Sequence, residues 1–334
     1  MTPWHGLRAA WRHNPDRWLL GAATLALSAS FFDTGVTMER SLFEHVIVLD
    51  VTQSMNVTDE ALDAKPISRL AYAKHALRQS LLQLPCGSKV GWAIFTEYRS
   101  FLLFAPIEVC ANLGELRSTL AQIDVGMAWS GNSEIAKGVH SALGIARQLP
   151  GKPSLVFVTD GHEAPPLNPH YRPAFDDKPG EVPGLIVGVG DLLPSPIPKT
   201  DPQGRPLGFW RADEVLQTDP RSQGRGASVT GEMLVDDRAH DTVPSLGATP
   251  GSEHLSSLRE AYLRRLASEQ GLAFLRLQST PGLAAALTSP LLAKPVRVRA
   301  DTRIVLAGLA LCLLLARHAG SVSRRLRAAL GRRA

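Results

Sequence analysis

The chain has little cysteine, no long apolar run and no positively charged body. Its 334 residues include three cysteines. His45, His75, His140 and His254 lie scattered, with no spacing that builds a histidine or cysteine metal site. No internal repeat is present, which argues against a long-reach adhesive rod. The formal charge of +5 belongs to the two ends. Residues 1–17 carry Arg8, Arg12 and Arg17 against Asp16, a net of +2, and the stretch after residue 316 adds +6 from six arginines. The residues between are mildly acidic. A nucleic-acid footprint needs a basic patch on the folded body, so no nucleic-acid partner is expected.

Each basic end abuts an apolar run, Trp18 to Phe32 and Ile304 to Ala316. Both fall short of the roughly 20 residues that span a bilayer comfortably. Thr34 to Val36 prolong the first, Arg303 and Arg317 can snorkel from the second, and Trp11 and Trp18 suit an interfacial belt. The reading is therefore two transmembrane helices, over 18–36 and 302–318. The alternative for the first is a cleaved signal peptide, with Leu27-Ser-Ala-Ser30 as a tolerable site. The alternative for the second is a buried helix. The positive-inside rule then puts residues 1–17 and the basic tail 319–334 in the cytoplasm, and the body across the membrane. In an oxidising compartment Cys86 and Cys110, the body's only two cysteines, read as a disulfide. Two free buried thiols are the alternative.

The body alternates strands and helices. Val46–Asp50 is wholly apolar up to its last residue, as in a parallel sheet covered on both faces. Ser68 caps a helix over 69–84, with Leu70, Ala73, Leu77, Leu81 and Leu84 among its apolar positions. Strands are expected over 89–96, 100–104 (closed by Pro106), 154–159, 184–190 and 272–277. Further helices are expected over 112–123, 133–148, 254–270 and 281–287. Residues 191–255 break the rhythm as a Pro/Gly-rich insertion with no sustained period. Its one aromatic cluster, Gly208-Phe-Trp210, suits either a hairpin or a partner contact. This alternation predicts an α/β fold over 42–290, doubly wound and Rossmann-like, with a mostly parallel sheet. Such sheets bind ligands beyond the carboxyl ends of their strands.

Three loops carry the chemistry. The first is Asp50-Val-Thr52-Gln-Ser54, a strand-tip carboxylate followed by two hydroxyls. The second is Trp129-Ser-Gly131-Asn-Ser133, a glycine turn opening a helix. The third is Thr159-Asp160-Gly161. Hard divalent cations take oxygen ligands, and Mg²⁺ uses one or two carboxylates and keeps several waters. For either aspartate alone the plain reading is a helix cap or a turn former. His162, Glu134 and Glu163 lie near the rim. Arg259, Arg264 and Arg265 read as a solvated helix face.

In this order on these elements, the three loops resemble the von Willebrand factor A domain with its metal-ion-dependent adhesion site. The family's first loop is Asp-x-Ser-x-Ser and its second carries threonine. Here Thr52 and Ser133 exchange one hydroxyl for another. The resemblance implies that Thr52, Ser54 and Ser133 approach Mg²⁺, or another divalent cation, directly or through water. Asp50 and Asp160 would orient the shell mostly through water, and a partner protein's Asp or Glu would take the open position. Gly188-Val-Gly190, Pro196-Ile-Pro198 and Asp201-Pro-Gln-Gly204 further resemble membrane-anchored members from bacterial operons with MoxR-type ATPases. These include the Bat aerotolerance proteins and the MxaL-type accessory proteins of methanol oxidation. That narrower likeness implies a bacterial inner-membrane protein with a periplasmic domain. It would be a non-enzymatic assembly factor that matures a periplasmic quinoprotein methanol dehydrogenase, including its calcium, beside other membrane accessory proteins.

Two other classes compete. Asp50 at a strand tip resembles the aspartyl nucleophile of haloacid-dehalogenase hydrolases, but those need a second acid two residues on, and position 52 is threonine. A structural or adhesive surface protein is the other, and the absence of repeats argues against it.

Overall fold

The computed structural model describes residues 15–31, 36–167, 171–201, 204–216, 232–236, 251–300 and 302–330. It falls into two units, one of residues 41–294 and one built from the two ends.

In chain order the elements are helix α1 (Pro15–Ala29), strand β1 (Val36–Asp50), the hairpin β2 (Glu60–Leu62) and β3 (Lys65–Ile67), and α2 (Arg69–Ser80). Then come β4 (Lys89–Thr96), β5 (Arg99–Glu108), α3 (Leu113–Gln122), α4 (Ile135–Gln148) and β6 (Ser154–Thr159). Next are β7 (Tyr171–Phe175), β8 (Gly184–Gly188), β9 (Ser195–Pro196), β10 (Pro198–Thr200), β11 (Pro206–Phe209), β12 (Glu232–Asp236) and β13 (Leu255–Ser256). The chain continues through α5 (Glu260–Gln270), β14 (Ala273–Arg276), α6 (Thr280–Leu287), β15 (Ala293–Ala300) and α7 (Arg303–Leu330).

The sheet runs β14-β8-β6-β1-β4-β5, with β15 also pairing with β1. Its pairs from β14 to β4 are parallel, and β5 is antiparallel to β4. Strand order reverses at β1, whose flanks are β4 and β6. The carboxyl ends of β1 and β6 therefore form the switch point where such folds place their sites. Alternate residues of β1 feed opposite cores, as a period of two requires. Ile47 and Leu49 pack with α2, α3 and α6 on one face. Val46 and Val48 pack with α4 and α5 on the other. These side chains are wholly buried, each contributing about 1.5–3 kcal/mol of apolar transfer. A Cβ at Gly138 would lie 2.2 Å from the Phe95 ring. Glycine there lets α4 close on β4.

Several boundaries differ from expectation. Pro106 does not close β5 but sits inside it, because β5 is an edge strand where a missing N–H is tolerated. The helix expected from His254 begins at Glu260. The residues before it extend, with Leu258 N–H bonded to Asp191 O and Arg259 N–H to Asp160 O. The helix expected from Ser133 begins at Ile135, since Ser133 forms a two-way backbone bridge with Ala164. Cys86 and Cys110 are joined by a disulfide with Cα atoms 5.3 Å apart.

The unit built from the chain ends pairs α1 with α7, with small residues Ala23, Ala26 and Ala310 buried. Among the described residues no helix is long and apolar enough to cross a membrane. The transmembrane helices expected over 18–36 and 302–318 are not supported. The reason is length in one and composition in the other. α1 has 15 residues, about 22 Å against a core of about 30 Å. α7 has 28 residues but continues past its apolar run into the arginine-bearing tail. Leu25, Phe31, Ile304 and Val305 are exposed on this unit. Residues 1–14 and 331–334, and 217–231 and 237–250 of the insertion, lie outside the described residues.

Candidate functional site

β1 and β6 run side by side; β1 ends in Asp50 and β6 is followed by Asp160, and both carboxylates are 0% exposed. Asp50 Oδ1 accepts from Thr52 N–H at 2.9 Å and Thr52 Oγ1 at 2.7 Å, and Oδ2 accepts from Thr159 Oγ1 at 2.6 Å. Burial, with the Asp160 charge beside it, pushes the Asp50 carboxyl up to about 7, although the threonine hydrogen bonds pull the other way. Both Asp50 oxygens are engaged, by two hydroxyls and a backbone N–H.

Asp160 lives differently. Its Oδ1 accepts from His162 N–H at 2.9 Å and from Ser54 Oγ at 3.2 Å. Its Oδ2 accepts from Arg69 Nη1 at 2.5 Å and Ser256 Oγ at 3.0 Å. Burial opposes its charge, but the Arg69 guanidinium holds its carboxyl below the usual range.

The hydroxyls close the arrangement. Thr52 Oγ1 and Ser54 Oγ are 3.4 Å apart. Thr52, Ser54 and Ser133 all line one cleft of about 210 Å³. Ser133 is 2% exposed, and its Oγ has no hydrogen-bond partner among the described residues. The structure thus links Asp50, Thr52, Ser54 and Asp160 in one hydrogen-bonded chain, and Ser133 lines the cleft that Thr52 and Ser54 line. The set is all oxygen, which suits a hard cation, and the idle Ser133 hydroxyl leaves one ligand free.

Sequence reading missed the base of the site. Arg69 is wholly buried and holds Asp160 with one arm. Its Nε and Nη2 fork onto Asp59 at 2.6–3.1 Å. One signal was visible: an arginine opens a helix whose first turn disfavours cations. Arg259 was also misread as solvated, since it is partly buried and its N–H meets Asp160 O. The Trp210 cluster belongs to the hairpin β10–β11, and the Trp210 indole N–H donates to Gln53 Oε1, inside the first loop. Trp210, Ile197, Pro165 and Pro166 wall the cleft. His162 and Glu163 line it too. Burial, relieved in part by the Asp160 charge, lowers the His162 imidazole to about 4. Burial pushes Glu163 up to about 8, against a hydrogen bond from Tyr262.

Residues 45–162 match the family model described as the von Willebrand factor type A domain, a span that takes in all three loops. The α/β fold with its mostly parallel sheet agrees with that match over the matched residues. Among solved structures, an aerotolerance-related membrane protein from Bacteroides fragilis is 17% identical, covering 75% of this chain and 98% of its own, with a TM-score of 0.46. A membrane-spanning protein from Vibrio fischeri is 14% identical over 72% of this chain and 95% of its own, TM-score 0.27. The PilB minor pilin from Streptococcus sanguinis is 12% identical over 75% and 61%, TM-score 0.39. At these values the likenesses say nothing of activity or partner. No curated protein matches.

Proposed function

We propose that this chain is an interaction module that holds an acidic side chain of a partner protein through a bound Mg²⁺. The observation that carries this reading is the buried Ser133 Oγ, which has no hydrogen-bond partner among the described residues and belongs to a residue lining the cleft shared with Thr52 and Ser54. A buried hydroxyl left idle costs about 1–3 kcal/mol, and a cation ligated there would recover it. Thr52, Ser54 and Ser133 would hold the ion, with Asp50 and Asp160 orienting its shell. When bound, the ion supplies a positive centre for a carboxylate. The chain's own residues would fix that centre's place, in a cleft that Trp210 and the two prolines also line. The family match over all three loops supports this assignment.

The wider role we propose is an assembly or maturation factor for a periplasmic metalloenzyme. The narrower candidate is calcium loading of a quinoprotein methanol dehydrogenase. The Cys86–Cys110 disulfide supports an oxidising compartment. Exposed apolar side chains on the α1–α7 pair support association with a membrane.

Calorimetric titration of the full-length chain with Mg²⁺ tests the site. Saturable binding is expected, lost in Asp50→Ala and weakened in Ser133→Ala. Equal heats in all three chains would remove the site.

A further inference from the structure

We propose that Arg69 is a fixed counter-charge that holds the site's affinity for its cation down, so that the ion keeps positive charge for a partner's carboxylate. This rests on the metal reading above. Asp160 offers Oδ2 to the Arg69 guanidinium and keeps Oδ1 on the side of Ser54. Arg69 therefore does not take the oxygen an ion would use; it acts through its field.

That field is little screened by solvent because the guanidinium is wholly buried. The group also cannot swing away. Asp59 holds its other edge, and Ser256 Oγ and Ser256 O accept from it at 2.7 and 3.1 Å. Gly190 is pressed against it: a Cβ there would sit 2.5 Å from Arg69 Nε, and its φ of +115° suits only glycine. The guanidinium offsets part of the carboxylate charge around the ion, so a divalent ion held there keeps more positive charge for an incoming Asp or Glu than it would without Arg69. Asp59 lies on the far edge of the guanidinium, 7% exposed, and draws off part of its field.

A fastener and a counter-charge differ in the sign of their effects. Mg²⁺ titration of the full-length chain, repeated with Mn²⁺, should show Arg69→Gln binding about tenfold tighter than wild type. Arg69→Lys, which keeps the charge, should stay within about threefold. Asp59→Asn, which leaves the whole guanidinium field on Asp160, should bind about fivefold weaker. Arg69→Gln unchanged or weaker while wild type binds would overturn this inference and leave the metal site standing. If Arg69→Gln does not fold, Asp59→Asn decides, and affinity equal to or above wild type overturns the inference. Wild type that takes up neither ion would remove the metal reading itself, and the inference with it.

Discussion

Two aspartates at the ends of adjacent parallel strands, equally buried, sit in opposite electrostatic settings. Among the described residues Asp50 is met only by hydroxyls and a backbone N–H, and burial pushes its carboxyl up to about 7. Asp160 is met by a guanidinium from α2 and is held ionised. Position in the fold places a carboxylate, whereas a residue distant in sequence decides its charge. One carboxylate is therefore fastened by an ion pair, and the other by uncharged donors.

The largest effect that can break this comparison is Asp160→Ala. It strands a buried guanidinium and should cost about 3–5 kcal/mol in urea unfolding; a loss under about 1 kcal/mol would erase the distinction. Next comes pH. Glu163 and Asp50 have folded pKa values above their unfolded ones, so the folded state holds extra protons. His45 and His162, lowered to about 4, give the opposite slope between about pH 4 and 6.5, so the sign of linkage makes metal-free stability fall clearly from about pH 6.5 to 8, by about 1–3 kcal/mol. In Glu163→Gln most of that fall should disappear. A wild-type curve flat over that range would contradict both assignments. Asp50→Asn comes third. It removes a carboxylate that burial disfavours, and stability above pH 7 should change by less than about 1 kcal/mol, in contrast to Asp160→Ala. A cost equal to that of Asp160→Ala would merge the two environments. Last is Ser133→Ala, which deletes a buried oxygen with no partner among the described residues and should raise metal-free stability, by about 1 kcal/mol. A loss of stability would mean Ser133 already has a structural task.

The sheet and the strand-tip residues were legible because their signals are local. Lys89–Thr96 and Ser154–Thr159 are apolar runs with clear stops, and the strands lie there. Asp50, Thr52 and Ser54 fall within five residues. Arg69 was not legible because its role depends on Asp59, Asp160 and Ser256, which only folding brings together. The short hairpin β2–β3 escaped because Glu60 to Ile67 has no apolar alternation. β7 and β15 escaped because proline interrupts both. The end helices were overread. Hydropathy marks an apolar run but not where the helix around it starts and stops.

Diffraction from crystals of the full-length chain soaked in Mn²⁺, recorded at the manganese absorption edge, tests the central claim most directly. The account predicts one anomalous peak bounded by Thr52, Ser54 and Ser133, with Asp160 Oδ1 beside it. Manganese elsewhere in the crystal with none at those oxygens would contradict it.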